Sequence, residues 1–160
     1  MTVSVLFVCL GNICRSPTAE GIFQHYVNQA GLQKKIIIDS AGTGEWHIGK
    51  APDPRTQAAA LTRGYDLGKL RARQVARNDF TKFDYILAMD KQNLTDLKDL
   101  CTTKFSGQLD LFLRFGTTKV LEVPDPYYGG EKGFHQVVDL VEDAATGLLK
   151  HICKEHQISR

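Results

Sequence analysis

Apolar residues follow two alternating rhythms along this chain. Short continuous runs, Val5–Val8, Ile36–Ile38 and Tyr85–Met89, read as strands buried on both faces. Longer stretches carry apolar residues at three- and four-residue intervals and read as helices. The first holds Ala19, Ile22, Phe23, Tyr26, Val27 and Ala30 and stops at Gly31. His25 falls on its other, solvated face. The last holds Phe134, Val137, Val138, Val141, Ala144, Ala145, Leu148, Leu149 and Ile152, a long amphipathic closing helix. Between them, Asp53-Pro54 opens a helix with Pro54 at its first position, and Asp90 caps another that carries Leu94, Leu97 and Leu100. Residues 79–83 read as a short turn. Leu109–Leu113 fits either a strand or the edge of a helix. Val120–Val123 reads as a fourth strand, ended by Pro124-Asp125-Pro126.

Strands alternating with helices predict a parallel sheet. The expectation is an α/β fold: one domain over residues 1–160, three α/β/α layers, and a central four-stranded parallel sheet. Sites in such sheets lie beyond the carboxyl ends of the strands. Cys9, Ser40 and Asp125 each closely follow a predicted strand.

Length and charge narrow the class. A chain of 160 residues buries about 68–70% of its unfolded surface, enough for a core without metals or disulfides. A net charge of +2 with no dense Lys/Arg run gives no footprint for nucleic acid. The N-terminal apolar run lacks a basic flank and reads as a strand rather than a signal peptide, and no stretch is long enough to span a bilayer. Cys9, Cys14, Cys101 and Cys153 lack the spacing of a secreted disulfide framework, so a reducing cytoplasm is the expected location. A monomer without membrane contacts is the plain expectation. The histidines, His135, His151 and His156 among them, lack a spacing that converges on one ion, so no metal site is expected.

The chemistry concentrates at Val5-Leu-Phe-Val-Cys-Leu-Gly-Asn-Ile-Cys-Arg-Ser-Pro17. A buried strand ends at Cys9, a tight loop follows, and Ser16 and Pro17 suit the N-cap and first position of a helix. Gly11 and Asn12 are the residue types that most readily take positive φ, so the loop can turn successive N–H groups inward as an anion nest. The helix start adds its positive dipole end. A thiol at such a place is expected to ionise readily. Arg15 supplies a planar fork of donors matching two phosphoryl oxygens.

This stretch resembles the phosphate loop of the low-molecular-weight protein tyrosine phosphatases. The resemblance covers essentially the whole chain: Asp39-Ser-Ala-Gly-Thr43, Trp46, Pro52-Asp-Pro-Arg55, Ala72-Arg-Gln74, Phe83-Asp-Tyr-Ile86, Met89-Asp90 and Asp125-Pro-Tyr-Tyr-Gly129 follow in the family's order. It implies phosphotyrosine hydrolysis in proteins through a cysteinyl-phosphate, with no cofactor and with inorganic phosphate as product. Cys9 would be the nucleophile. Arg15 and the backbone N–H groups of Leu10, Gly11, Asn12, Ile13, Cys14, Arg15 and Ser16 would bind the phosphoryl oxygens. Asp125 would protonate the phenol and then activate water. Leu10, Ile13, Trp46, Tyr127 and, with less weight, Tyr128 would wall the substrate cleft. The family's loop support, a hydrogen-bond network, maps to Asn12, Ser16 and Ser40. Its histidine partner maps to Leu70, a departure that leaves another group to hold Asn12. The resemblance also implies a reversible Cys9–Cys14 disulfide that shields the nucleophile. A similar loop occurs in arsenate reductases, which need further resolving cysteines; Cys101 and Cys153 form no close pair in sequence and read as structural. Related arginine phosphatases tend to have threonine where this chain has Ile13, so the isoleucine favours phosphotyrosine. A phosphate-binding module without turnover is disfavoured by the presence of Cys9, Arg15 and Asp125 together.

Overall fold

The computed structural model describes residues 2–159. Strands β1 (Val3–Cys9), β2 (Ile36–Gly42), β3 (Tyr85–Ala88) and β4 (Gln108–Leu111) form one sheet in the order β2-β1-β3-β4, with every pair parallel. Helices α1 (Arg15–Gln29), α2 (Pro54–Leu61) and α5 (Glu131–Glu155) pack on one face, while α3 (Asp79–Lys82) and α4 (Lys91–Leu100) cover the other. The expected three-layer α/β/α fold therefore holds.

β1 lies between β2 and β3, which explains its unbroken apolar run. Val5 and Phe7 point into the core beneath α1 and α5, and Leu6 and Val8 into the core beneath α3 and α4. Phe7 meets Phe23 and Phe112 edge-on, at centroid distances of 5.7 and 4.9 Å. All nine apolar residues predicted for the closing helix are buried in α5. Gly31 takes a φ of 72° just past the end of α1. Asp53 and Asp90 cap α2 and α4, and Asp90 forms a full capping box with Asn93.

Several details differ from the sequence expectation. The fourth strand is Gln108–Leu111, followed by a 3-10 turn over Phe112–Phe115. Val120–Val123 is not a strand, because the β3 edge it would pair with is already taken by β4. Only the Met89 carbonyl, just past the end of β3, remains for it, and the Val123 N–H donates there at 2.8 Å. Asp125 thus follows an irregular segment pinned beyond β3. Ser16 does not cap α1: Cys14 is the cap residue, and Ser16 and Pro17 lie inside the first turn, where a missing N–H costs nothing. The 79–83 turn is a short helix whose buried Asp79 accepts from Arg73 and from the Ala76 N–H. His25 is half-buried and packs edge-on against Tyr65, at 5.2 Å between rings. Among the described residues no helix is long and apolar enough to cross a membrane.

Candidate active site

The carboxyl end of β1 delivers Cys9 to the base of a cleft of about 410 Å3. Cys9, Leu10, Gly11, Ile13, Cys14 and Arg15 of the loop line it, together with Trp46, His47, Asp125, Tyr127 and Tyr128. Residues distant in sequence meet here because β1 and β2 end at this edge of the sheet and the segment leading to Asp125 is pinned just beyond β3.

The loop is held from behind. Asn12 has a φ of 58°, in the left-handed region that only a few residue types tolerate. Its side-chain amide donates to Ser16 Oγ at 2.8 Å and to Ser40 Oγ at 2.9 Å. The Arg73 N–H donates to Asn12 Oδ1 at 3.0 Å. The Asn12 N–H reaches Cys9 Sγ at 3.3 Å, and Ser16 Oγ lies 3.0 Å from the same sulfur. Asn12, Ser16 and Ser40 are thus joined by hydrogen bonds, and their side chains sit behind the cleft rather than in it. Leu70 contributes no polar atom; it packs against the core, and Arg73 and Glu20 supply the remaining partners.

Two glycines bring the walls close. The β2 end abuts the loop, with the Thr43 and Gly44 N–H groups donating to the Cys9 and Leu10 carbonyls at 2.9 Å each. A Cβ on Gly42 would stand 2.7 Å from the Leu10 carbonyl oxygen, so only glycine fits. A Cβ on Gly44 would overlap the Trp46 ring, which folds back over it. Trp46 is nonetheless 66% exposed, as a rim residue is and a core tryptophan is not.

Arg15 is almost wholly buried, which costs a charge dearly unless it is paired. It donates to Asp90 Oδ2 at 2.6 Å and to the Val123 carbonyl at 3.1 Å, and lies 3.7 Å from Asp125 Oδ2. Burial alone would lower its affinity for a proton, but Cys9, Asp90 and Asp125 outweigh that and hold it above its ordinary value. These bonds fix the guanidinium plane toward the cleft. Asp125 itself is partly exposed, with a 41% exposed side chain, and Oδ1 accepts from the Tyr127 N–H at 3.0 Å. That turn leaves Oδ2 facing the cleft. Arg55 stacks on the Tyr127 and Phe134 rings, tethering the 125–128 segment to α2 and α5. Tyr127 is 36% exposed beside this tether, while Tyr128 is 93% exposed.

Cys14 is a different kind of thiol from one poised for attack. Burial, with Asp53, Cys9 and Asp125 nearby, pushes it up to about 12, so it is a neutral thiol at pH 7. All four cysteines are free, and neither Cys101 nor Cys153 lines the cleft. Among the described residues no three His, Cys, Asp or Glu side chains group to hold a metal ion.

Sequence reasoning missed four participants. Asp90 was legible only as a helix cap, yet it also anchors Arg15. His47, the neighbour of Trp46, lies over Gly11. Arg73 enters through its backbone, which no side-chain pattern announces. Glu20 accepts from the Ser40 hydroxyl at 2.6 Å; an acidic residue inside an amphipathic helix, close to its less apolar face, was the available signal.

A thiol and an arginine on an anion-sized loop, faced by a carboxylate, are equipped for attack at phosphorus and for proton transfer to a leaving group. Residues 4–158 match the family model for low molecular weight phosphotyrosine protein phosphatase. The chain is 43% identical to the low molecular weight protein-tyrosine-phosphatase YfkJ of Bacillus subtilis, over 98% of this chain and 99% of that protein. It is similar to the crystal structure of a protein tyrosine phosphatase from Entamoeba histolytica, with Hepes in the active site. That match has a TM-score of 0.91 and 44% identity, and covers 98% and 99% of the two chains. It is also similar to a Drosophila arginine phosphatase, with a TM-score of 0.85 and 34% identity over 92% of this chain and 96% of that one.

Proposed function

This chain belongs to the low molecular weight phosphotyrosine protein phosphatase family, and we propose that Cys9, Arg15 and Asp125 carry its hydrolysis of phosphotyrosine in proteins. The observation that supports this most is the convergence of Cys9 Sγ, the Arg15 guanidinium and Asp125 Oδ2 on one cleft.

In the first step the Cys9 thiolate attacks phosphorus in line, forming the S–P bond as the P–O bond to the phenol breaks. Asp125 gives its proton to the departing phenol oxygen. Arg15 and the N–H groups from Leu10 to Ser16 hold the equatorial oxygens, and their preorganised charge favours the transition state. In the second step the Asp125 carboxylate takes a proton from water, the water oxygen attacks phosphorus, and the S–P bond breaks. Ser16 donates its hydroxyl proton toward the leaving sulfur. Inorganic phosphate is the product.

Leu10, Ile13, Trp46 and Tyr127 give the cleft apolar walls suited to an aryl group, with Tyr128 at the outer rim. Ile13 gives a guanidinium nothing to bond, which favours phosphotyrosine over phosphoarginine. Cys14, buried beside Cys9 in the loop, is the partner for a reversible disulfide that shields the nucleophile from further oxidation. We take the working form to be a monomer in a reducing cytoplasm, acting on phosphoprotein without nucleic acid, membrane, cofactor or metal.

The test is phosphate release from a phosphotyrosine peptide without added metal, with Cys9→Ser as the blank. Release by the unmodified protein alone is expected. No release from folded, reduced protein overturns the proposal for this substrate, and a phosphoarginine peptide run alongside distinguishes the second substrate class.

A further inference from the structure

The hydrogen-bond chain behind the phosphate loop does not end at Ser40. The Ser40 hydroxyl lies 2.6 Å from Glu20 Oε1, and the donors and acceptors set the direction of the chain. Asn12 Nδ2 spends its two hydrogens on Ser16 Oγ and Ser40 Oγ. Ser40, accepting from Asn12, gives its own proton to the Glu20 carboxylate. Ser16, also accepting from Asn12, has its proton for Cys9 Sγ at 3.0 Å, a thiolate being a stronger acceptor than the Ala41 carbonyl at 3.4 Å. The polarity therefore runs outward from one amide toward two acceptors, the Cys9 sulfur and the Glu20 carboxylate. Glu20 is the charged side chain in this line, and it lines the same surface cleft as Leu70.

We propose that Glu20 is a positioning residue for the phosphate loop: its carboxylate form fixes the Ser40 hydroxyl, so that Asn12 holds the loop and Ser16 aims its proton at Cys9. The inference rests on the assignment of Cys9 as nucleophile. When Glu20 is protonated it no longer draws the Ser40 proton with a full charge. The Ser40 hydroxyl is then free to turn, and Asn12 loses a fixed acceptor.

The surroundings put that change near neutrality. Burial raises the Glu20 carboxyl to about 7; Asp39 adds to the rise, while the Ser40 bond and Arg73 oppose it. Arg73 is engaged by Asp39 and Asp79 at 3.0 Å each, so it does not form a pair with Glu20. His25 on α1 and Tyr65 and Asp66 after α2 share the surface cleft over Glu20 with Leu70.

The test compares kcat and KM of the unmodified protein and Glu20→Gln on an aryl phosphate across pH. The kcat ratio is expected near one at about pH 5.5 and about fivefold at about pH 8, with its midpoint near 7 and with KM nearly unchanged. In a Ser40→Ala background, Glu20→Gln is expected to add nothing further. A ratio constant with pH, or an undiminished effect in Ser40→Ala, overturns the proposal. A measurement without variants is NMR titration of the Glu20 carboxyl and the Asn12 side-chain amide, both expected to move together near pH 7. A Glu20 midpoint below about 5, or an Asn12 signal blind to it, also overturns the proposal. If the unmodified protein releases no phosphate, the assignment of Cys9 fails, and the NMR titration still decides whether Glu20 governs Asn12.

Discussion

Arg15 and Asp90 meet at 2.6 Å across 75 residues of sequence, joining the first turn of α1 to the cap of α4. The same carboxylate thus ends one helix and orients the guanidinium at the base of the cleft. Its Oδ1 accepts from the Asn93 N–H while Oδ2 accepts from Arg15.

These two duties separate by substitution. Asparagine caps helices as well as aspartate does, so Asp90→Asn keeps α4 and loses the charge facing Arg15. A hydrogen bond to a charged group is worth about 1.5–3 kcal/mol, so kcat/KM for an aryl phosphate is expected to fall about 10- to 100-fold. The thermal unfolding temperature should fall in Asp90→Asn, which takes the nearest charge from the buried Arg15, and fall further in Asp90→Ala, which also loses the helix cap. Unchanged kinetics in Asp90→Asn would remove Asp90 from the orientation of Arg15.

Asp125 is expected to matter in proportion to the leaving group's need for a proton. Asp125→Ala should slow phenyl phosphate more than an activated nitrophenyl phosphate, by about 10²-fold or more against a smaller loss. Steady-state kinetics on the two substrates check this. Equal losses would take Asp125 out of the general-acid role.

The close approach of β2 to the loop predicts a cost at Gly42. A methyl group there meets the Leu10 carbonyl at 2.7 Å and the Gly11 carbonyl carbon at 3.1 Å, both backbone atoms. Gly42→Ala should therefore destabilise the fold by about 1–3 kcal/mol and displace the loop, lowering kcat as well. Denaturant unfolding together with kinetics measures both. A neutral Gly42→Ala would mean the loop tolerates displacement.

Glu20 predicts a stability that opposes its proposed role in turnover. Its folded value of about 7 lies above the ordinary 4.5, so the folded chain holds the proton more tightly than the unfolded chain. Stability from this group is full below about pH 4.5 and is lost as pH rises through about 7. Glu20→Gln should therefore melt about 3–6 °C above the unmodified protein at about pH 8, with the gain absent near pH 4.5. Calorimetry at the two pH values checks this; a lower melting temperature at pH 8 would show that the charged form is the one favoured by folding.

Local rules in the amino-acid order determined the layer architecture, the helix caps at Asp53 and Asp90, the stop at Gly31 and the buried face of α5, because each depends on neighbours within a turn or a strand. The order also carried the candidate chemistry of Cys9 and Arg15, since a thiol and an arginine flank a loop of residues suited to positive φ, while the role expected of Asp125 came from the family resemblance. Tertiary structure decided the rest. Val120–Val123 has strand composition, but a strand needs a free edge, and β4 had already occupied the one beside it. Ser16 has a capping side chain, but Asn12 and Cys9 engage it from positions that exist only once the loop has closed. Asp90, Arg73 and Glu20 entered the site through partners 75, 61 and 20 residues away, respectively. Such bonds depend on which atoms the sheet order brings together, and no local pattern along the chain carries that information.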